Sequence, residues 1–226
     1  MSTGILTVQR KLQAAGFDPG PLDGLWGRRT EAALDAALAA AGVPSSRPMD
    51  GPAAVALIIG DGLSLLPPSW NSPQAQLLML AISGQEADFR HRWQVYDAKR
   101  PEAMGAARGL WQFERGGGVR GVLTHERTKT QAAEVCRMRN VAPTVDAVYN
   151  ALHLDDTLAA AFARLLLWTD PRALPAVGEV EAAWQMYLRN WRPGAYTNGN
   201  TRQRAELRAK WDGYYATAMH TAKGTR

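Results

Sequence analysis

The chain of 226 residues contains a single cysteine, Cys136, so it can form no internal disulfide. This composition is typical of proteins that fold in a reducing compartment. No apolar run reaches the length of a membrane span, and the N-terminal MSTGILTVQRK lacks the apolar core of a signal peptide. We therefore expect a soluble protein that is made in the cytoplasm. Any export would have to use a route other than a signal peptide.

Several catalytic signatures are also missing. Histidine occurs at 91, 125, 153 and 220, without the spacing of metal ligands, and no H-E-x-x-H motif is present. Cys136 lies in a basic helical run that matches no peptidase signature, and the glycines at 116–118 are not followed by G-K-[ST]. These absences disfavour zinc, thiol and nucleotide chemistry, and we expect no metal and no cofactor.

What the sequence does contain is a large apolar fraction and an excess of positive charge. Hydrophobic residues make up 46% of the chain, eight of them tryptophan, which predicts a packed globular protein. The net charge is +5, and residues 201–226 carry six basic against two acidic side chains. A basic end suggests an anionic partner, such as nucleic acid, lipid headgroups or an acidic polymer. A solvated helix face explains it as well.

The first 66 residues predict three short helices on a small core. TVQRKLQAAGF is amphipathic, RRTEAALDAALAAAG is rich in helix formers, and PAAVALI follows a well-placed proline at 52. Between the first two lies DPGPLDGLWG, which is dense in turn-forming residues. In this turn Gly24 and Gly27 permit a tight bend, and Thr30 is expected to cap the following helix.

Residues 5 to 66 resemble the three-helix peptidoglycan-binding module of bacterial and phage cell-wall enzymes. The matching pattern consists of the VQRKLQ start, LDGLWG at 22–27, then Arg29-Thr30 and AAL. The resemblance implies that Asp23, Trp26 and Thr30 bind the wall polymer, with Trp26 exposed beside a groove. A purely structural role for Asp23 and Thr30, as builders of the turn, is the alternative.

A proline-rich segment, residues 67–73, is predicted to link this module to a second domain, residues 74–226. Ser72 and Pro73 form a cap and a first-turn proline for the next helix. Further helices are expected after Thr128, from Asp155 to Trp168, over EVEAAWQMYLRNW and over 201–219, and no alternating strand pattern is present. The predicted fold is therefore mainly α.

One helix of this domain carries a carboxylate where an apolar residue is expected. Leu78, Ile82, Glu86, Phe89 and Trp93 recur at helical spacing, so Glu86 interrupts an apolar stripe. A charge on a buried face is costly unless it is paired or protonated. Glu86 is thus either an acid with a raised pKa or one half of an ion pair, for instance with Arg90.

The domain resembles the lysozyme-like superfamily, in particular goose-type lysozymes, lytic transglycosylases and the muralytic domains of phage endolysins. The resemblance lies in Gln85-Glu86 at the end of an apolar helix, Gly109-Leu110-Trp111-Gln112 after a loop, and Tyr187 near Asn190 and Gly194. It implies a lysozyme-like fold over residues 74 to about 220. Ala87 and Trp111 stand where the family has serine and methionine.

The resemblance also implies roles for single residues. Glu86 would be the catalytic acid, and Gln112 and Tyr187 would hydrogen-bond the glycan and the acid. The second carboxylate would be Glu114, with Asp97 as the alternative. If neither acts on water, the 6-hydroxyl of the substrate attacks, as in lytic transglycosylases.

Together these observations predict a modular endolysin, a muramidase that cleaves the β-1,4 bond between N-acetylmuramic acid and N-acetylglucosamine. It would be a monomer that binds peptidoglycan and no nucleic acid, acting in the periplasm of a Gram-negative host after release from the cytoplasm. The basic C-terminal helix would touch the anionic envelope. The alternatives are a transglycosylase on the same bond, a wall-binding protein without activity, and a nucleic-acid-binding protein.

Overall fold

The computed structural model describes residues 3–41, 50–96 and 103–224. Helices make up 65% of the structure, which confirms the predicted mainly α class, and a small three-stranded sheet accompanies them. Within these ranges no helix combines the length and the apolar character that crossing a membrane would require.

The helices form two groups along the chain, before and after the sheet. The first group is α1 (Thr3–Ala14), α2 (Arg28–Ala40), α3 (Pro52–Ser64) and α4 (Pro73–Ala87). The second is α5 (Arg120–Thr124), α6 (Lys129–Met138), α7 (Val145–Ala151), α8 (Asp156–Thr169), α9 (Val180–Trp191), α10 (Gly194–Thr197) and α11 (Thr201–Gly224).

Helix α4 begins as the sequence predicts and ends earlier. The Ser72 hydroxyl accepts a hydrogen bond from the Ala75 backbone N–H, and Pro73 occupies the first turn. The helix stops at Ala87, because Asp88 and Phe89 both take positive φ values, 52° and 58°. The prediction that the apolar stripe of this helix continues through Phe89 and Trp93 is therefore wrong. Both residues lie beyond the left-handed turn that ends the helix.

The sheet is the main element that the sequence pattern did not predict. Its strands β1 (Trp93–Val95), β2 (Met104–Arg108) and β3 (Phe113–Glu114) pair antiparallel in that order. Strands of two to five residues are too short to display a clear alternation of apolar and polar residues. Its third strand ends at Glu114, directly before a π-helical turn, Arg115–Val119.

A single apolar core unites α3, α4, α8 and α11. Val55, Ile58, Ile59 and Leu63 of α3 are buried in the same cluster as residues of α4 and α8. Helices α3 and α8 approach closely, since a Cβ on Gly62 would lie 2.4 Å from the Ala160 Cβ. The predicted boundary at residue 66 therefore runs through a continuous core rather than between two cores.

The proline-rich segment packs against the same core. The rings of Trp70 and Trp168 stack with centroids 4.0 Å apart, and the Arg164 Nε donates to the Trp70 carbonyl over 2.9 Å. These contacts attach the segment to α8. The division of the chain into independently folding modules stays a prediction.

Helix α11 packs along α4 with one apolar side. Trp211 and Tyr215 are buried, and Leu207 and Tyr214 are half-buried against the core. Two of its arginines form ion pairs: Arg202 with Glu206, and Arg208 with Glu181 and Asp212. The expected contact with an anionic envelope stays a prediction, with less unpaired charge to support it than the sequence suggests.

Candidate active site

Glu86 lies in the last turn of α4, where the helix ends against α9 and α11. Its Oε1 accepts a hydrogen bond from the Tyr187 hydroxyl of α9, with the two oxygens 2.5 Å apart. The ion pair with Arg90 that the sequence allowed does not form, because Arg90 pairs with Asp88 instead. Glu86 as a whole residue is half-buried, in contact with α9 through this hydrogen bond.

The surroundings of Glu86 favour its protonated form. Burial raises the pKa of this carboxyl to about 7, and the negative charge of Glu114 contributes in the same direction. The Tyr187 hydrogen bond and the positive charge of Lys210 act against that rise. The result is a carboxyl that still holds a proton near neutral pH, which is the property a general acid needs.

Tyr187 is held in place by an aromatic cluster. Its ring stacks on Trp211 with centroids 5.1 Å apart, and Trp184 and Trp191 lie at 5.3 and 6.4 Å. Burial, together with Glu86, raises the pKa of the Tyr187 hydroxyl, so this group remains a hydrogen-bond donor. The cluster fixes the donor and thereby the orientation of the Glu86 carboxyl.

Glu114 lies exposed at the end of β3. It is close enough to Glu86 to influence the pKa of that carboxyl. Beyond it a cavity of about 510 Å³ opens, lined by Arg115, Gly116, Arg120, Thr144, Val145 and Asp146. Glu114 thus lies near enough to Glu86 for the two carboxyls to interact. Asp97, the alternative second carboxylate, lies outside the described residues.

Gln112 takes part in the turn between β2 and β3. It has a positive φ of 48°, and its side-chain nitrogen donates to the carbonyls of His91 and Gly109 over 3.2 and 3.0 Å. Gly109 is required here, because its φ is 73° and an added Cβ would lie 2.8 Å from the Leu152 carbonyl oxygen. The Gln112 amide therefore shapes the strand end that carries Glu114, and its expected bond to the glycan stays a prediction.

The predicted wall-binding residues Asp23 and Thr30 surround a buried glutamine, Gln9. The Gln9 side-chain nitrogen donates to Asp23 Oδ1 over 3.0 Å and to Thr30 Oγ1 over 3.2 Å, while Gln9 Oε1 accepts from the Gly24 N–H. Thr30 is not the expected cap: α2 begins at Arg28, and the Thr30 hydroxyl donates to the Pro19 carbonyl. These contacts match the turn-building alternative.

Trp26 is half-buried rather than fully exposed. It lines a small pocket of about 50 Å³ with Gly27 and Glu31 of the first segment and Ile58, Asp61, Asp156 and Thr157 of α3 and α8. Gly27 is needed for a close approach, since a Cβ there would lie 2.1 Å from the Leu154 carbonyl oxygen. The groove expected beside Trp26 is thus a narrow contact zone between α2 and the core.

Other reactive side chains lie away from this site. Cys136 is fully buried, and burial raises the pKa of its thiol to about 12, so no thiolate forms near neutral pH. Among the described residues no group of His, Cys, Asp and Glu side chains is placed to hold a metal ion. Glu86 is therefore the focus of the candidate chemistry.

Two residues of these sites were not predicted. Lys210 belongs to the basic C-terminal helix, and its Nζ donates to the Gln85 carbonyl over 2.6 Å. Gln9 lies within the VQRKLQ pattern and is buried, and a polar residue at a helical core position was the sequence signal that could have identified it.

No protein-family model, no curated protein and no solved structure matches this chain.

Proposed function

We propose that the protein is a glycosidase that cleaves the β-1,4 bond between N-acetylmuramic acid and N-acetylglucosamine in bacterial peptidoglycan. The observation that carries the proposal is the half-buried Glu86, with a pKa of about 7 and a hydrogen bond from Tyr187. A carboxylic acid that remains protonated at neutral pH and stays accessible is what glycoside cleavage requires. The motifs at 85–86, 109–112 and 187 support the lysozyme-like assignment.

In the proposed reaction the Glu86 carboxyl gives its proton to the glycosidic oxygen. The bond between that oxygen and C1 of N-acetylmuramic acid breaks, and its electron pair stays on the leaving oxygen. Glu114 takes a proton from water as the water oxygen bonds to C1. Exchange of protons with solvent then returns both carboxyls to their starting states.

The alternative is a lytic transglycosylase on the same bond. There the 6-hydroxyl oxygen of N-acetylmuramic acid bonds to C1 in place of water and its proton passes to the Glu86 carboxylate, which gives a 1,6-anhydro product and restores the acid. The exposed position of Glu114, and its effect on Glu86, favour the hydrolase as the first choice.

The wider proposal is a phage endolysin, acting as a monomer on the wall of a Gram-negative host once it leaves the cytoplasm. Residues 1–49 would contribute wall binding through the resemblance carried by LDGLWG. The arginines of α11 would add attraction to the anionic envelope, reduced by the ion pairs that hold Arg202 and Arg208.

The test of the proposal is the lysis of purified peptidoglycan. Glu86→Gln should remain folded and lose at least a hundredfold in rate, because the amide has no acidic proton to donate. Glu126→Gln, an exposed glutamate paired with Lys129, serves as the control and should lyse at the wild-type rate. Clearing by a folded Glu86→Gln within tenfold of wild type would refute the assignment.

Mass spectrometry of the released muropeptides separates the two mechanisms. Reducing ends identify a hydrolase, whereas 1,6-anhydro ends identify a transglycosylase. We expect reducing ends, and we expect Glu114→Gln to slow their formation. A Glu114→Gln variant with undiminished hydrolysis would remove Glu114 from the mechanism.

A further inference from the structure

Lys210 differs from two of the arginines on the same helix. Arg202 and Arg208 pair with carboxylates on the surface, but the Lys210 side chain reaches back to α4 and donates to the Gln85 carbonyl, with nitrogen and oxygen 2.6 Å apart. Gln85 directly precedes Glu86, so the ammonium lies at the helix end that presents the candidate acid. A cation is favoured there, because the carbonyls at a helix C-terminus carry partial negative charge.

The charged and titratable groups around Glu86 come from four elements. Tyr187 of α9 donates a hydrogen bond, Glu114 of β3 contributes a negative charge, and Lys210 of α11 contributes a positive charge. On the turn after α4, Asp88 acts on Lys210 and is itself held by Arg90 and by the Tyr214 hydroxyl. Among these groups Lys210 is the cation that acts on the Glu86 carboxyl.

We propose that Lys210 is a positioning residue for Glu86, which fixes the end of α4 through the Gln85 carbonyl and supplies the positive charge that faces the carboxylate left after proton donation. This inference rests on the proposed function of Glu86 as a general acid. When the acid gives its proton to the glycosidic oxygen, a negative charge appears in a partly buried site. That charge is costly without a compensating cation nearby.

The role predicts a specific change when the charge is removed. Lys210→Met should make Glu86 a weaker acid, raising its titration midpoint by roughly half a pH unit, a modest shift because Lys210 is partly exposed to solvent. The alkaline limb of the pH profile for lysis should move upward by the same amount. The rate on the plateau should fall roughly three- to tenfold, since proton donation becomes less favourable.

The experiment combines two readouts on the full-length chain. Carbon NMR of side-chain-labelled glutamate follows the titration of Glu86 directly, with Glu86→Gln used to assign its signal, and the pH profile of wall lysis follows its use in catalysis. Lys210→Gln is a second neutral variant that can still donate to the Gln85 carbonyl. Lys210→Arg retains the charge and should restore the wild-type midpoint, and Arg202→Met removes an exposed charge from the same helix as the control.

An upward shift in both neutral variants, absent from Arg202→Met, would support the role of Lys210. Unchanged titration of Glu86 in either folded neutral variant would overturn it, as would an equal shift in Arg202→Met. If the wild type cleaves no peptidoglycan, the proposed function is refuted, but the coupling between Lys210 and Glu86 is not. The NMR titration would still support or overturn the coupling between Lys210 and Glu86.

Discussion

The pKa of Glu86 reflects two opposing influences at a single carboxyl. Burial at the end of α4 favours the neutral acid, whereas Tyr187 and Lys210 stabilise the carboxylate. Burial is the larger influence, so the carboxyl retains its proton to about pH 7. The same balance that suits a proton donor makes the folded protein less stable once the proton is lost.

Glu86→Gln is therefore expected to stabilise the protein at alkaline pH. The Glu86 carboxyl titrates near 4.5 in the unfolded chain and near 7 in the folded protein. Its proton therefore contributes fully to the free energy of unfolding below pH 4.5, and this contribution is lost as the pH rises through 7. The loss amounts to about 2–3 kcal/mol after allowance for partial exposure. Urea unfolding at pH 8 should show this gain for the glutamine variant.

A measurement at acidic pH is the control for this gain in the free energy of unfolding. At pH 4 the acid is largely protonated in both states, so wild type and Glu86→Gln should unfold at nearly the same urea concentration. Glu126→Gln should show no gain at pH 8, because Glu126 is exposed and paired with Lys129. Equal stability of wild type and Glu86→Gln at pH 8 would contradict the raised pKa.

At this scale the sequence predicts which residue is unusual but not what surrounds it. An acidic residue in an apolar stripe identifies Glu86, and the resemblance to lysozyme-like domains implies Tyr187 and Glu114 as its neighbours. Lys210 lies 124 positions further along the chain, and its inward direction depends on how α11 packs on α4. Side-chain direction on a surface helix follows from tertiary packing, which periodicity alone does not supply.

Among the elements, helix α3 shows how small residues set the distance between helices. Gly62 faces α8, where an added Cβ would meet the Ala160 Cβ at 2.4 Å and the Ala161 nitrogen at 2.8 Å. The neighbouring groups include backbone, which cannot rotate away. Gly60 lies on the exposed side of the same helix, with nothing within 4 Å of an added Cβ.

These two glycines predict opposite effects of the same substitution. Gly62→Ala should force α3 and α8 apart and lower the free energy of unfolding by about 1–3 kcal/mol. Gly60→Ala should raise it by about 0.5–1 kcal/mol, because alanine is the better helix former. Urea unfolding of both variants measures the difference, and a Gly62→Ala variant as stable as Gly60→Ala would refute the close packing of α3 on α8.

Helices were predictable from the sequence to the extent that local signals determine them. The Ser72-Pro73 start of α4 is confirmed, as is the start of α6 after Thr128. The Thr128 side chain does not cap this helix, because its hydroxyl donates to the Val122 carbonyl 2.7 Å away. The short strands β1 to β3 depend on pairing between segments, so local patterns could not predict them.

At the scale of the whole molecule, long-range contacts join the segment around α3 to the rest. Arg92 is buried and pairs with Asp50, just before α3, over 2.5 Å, and with Asp156, at the start of α8, over 2.8 Å. The Trp70–Trp168 stack adds a second link. Composition suggested a boundary at the prolines, but prolines stiffen a segment without preventing it from packing.

The position of this boundary can be tested with two truncated proteins. Residues 50–226 retain α3 and the Asp50–Arg92 pair, whereas residues 71–226 lack both. Removing α3 exposes the partners of Val55, Ile58, Ile59 and Leu63, each of which contributes about 1.5–3 kcal/mol when buried. That total is comparable to the whole stability of a typical domain, about 5–15 kcal/mol.

We therefore expect the fragment 50–226 to unfold cooperatively on heating, with a helical circular-dichroism spectrum, and the fragment 71–226 to aggregate or to lack a cooperative transition. The fragment 50–226 should also retain peptidoglycan cleavage, at a lower rate per mole if residues 1–49 supply wall binding. Co-sedimentation of both fragments and of the full chain with purified walls measures that contribution. Equal cooperative unfolding of the two fragments would contradict the role of α3 in the core and would restore the boundary that the prolines predict.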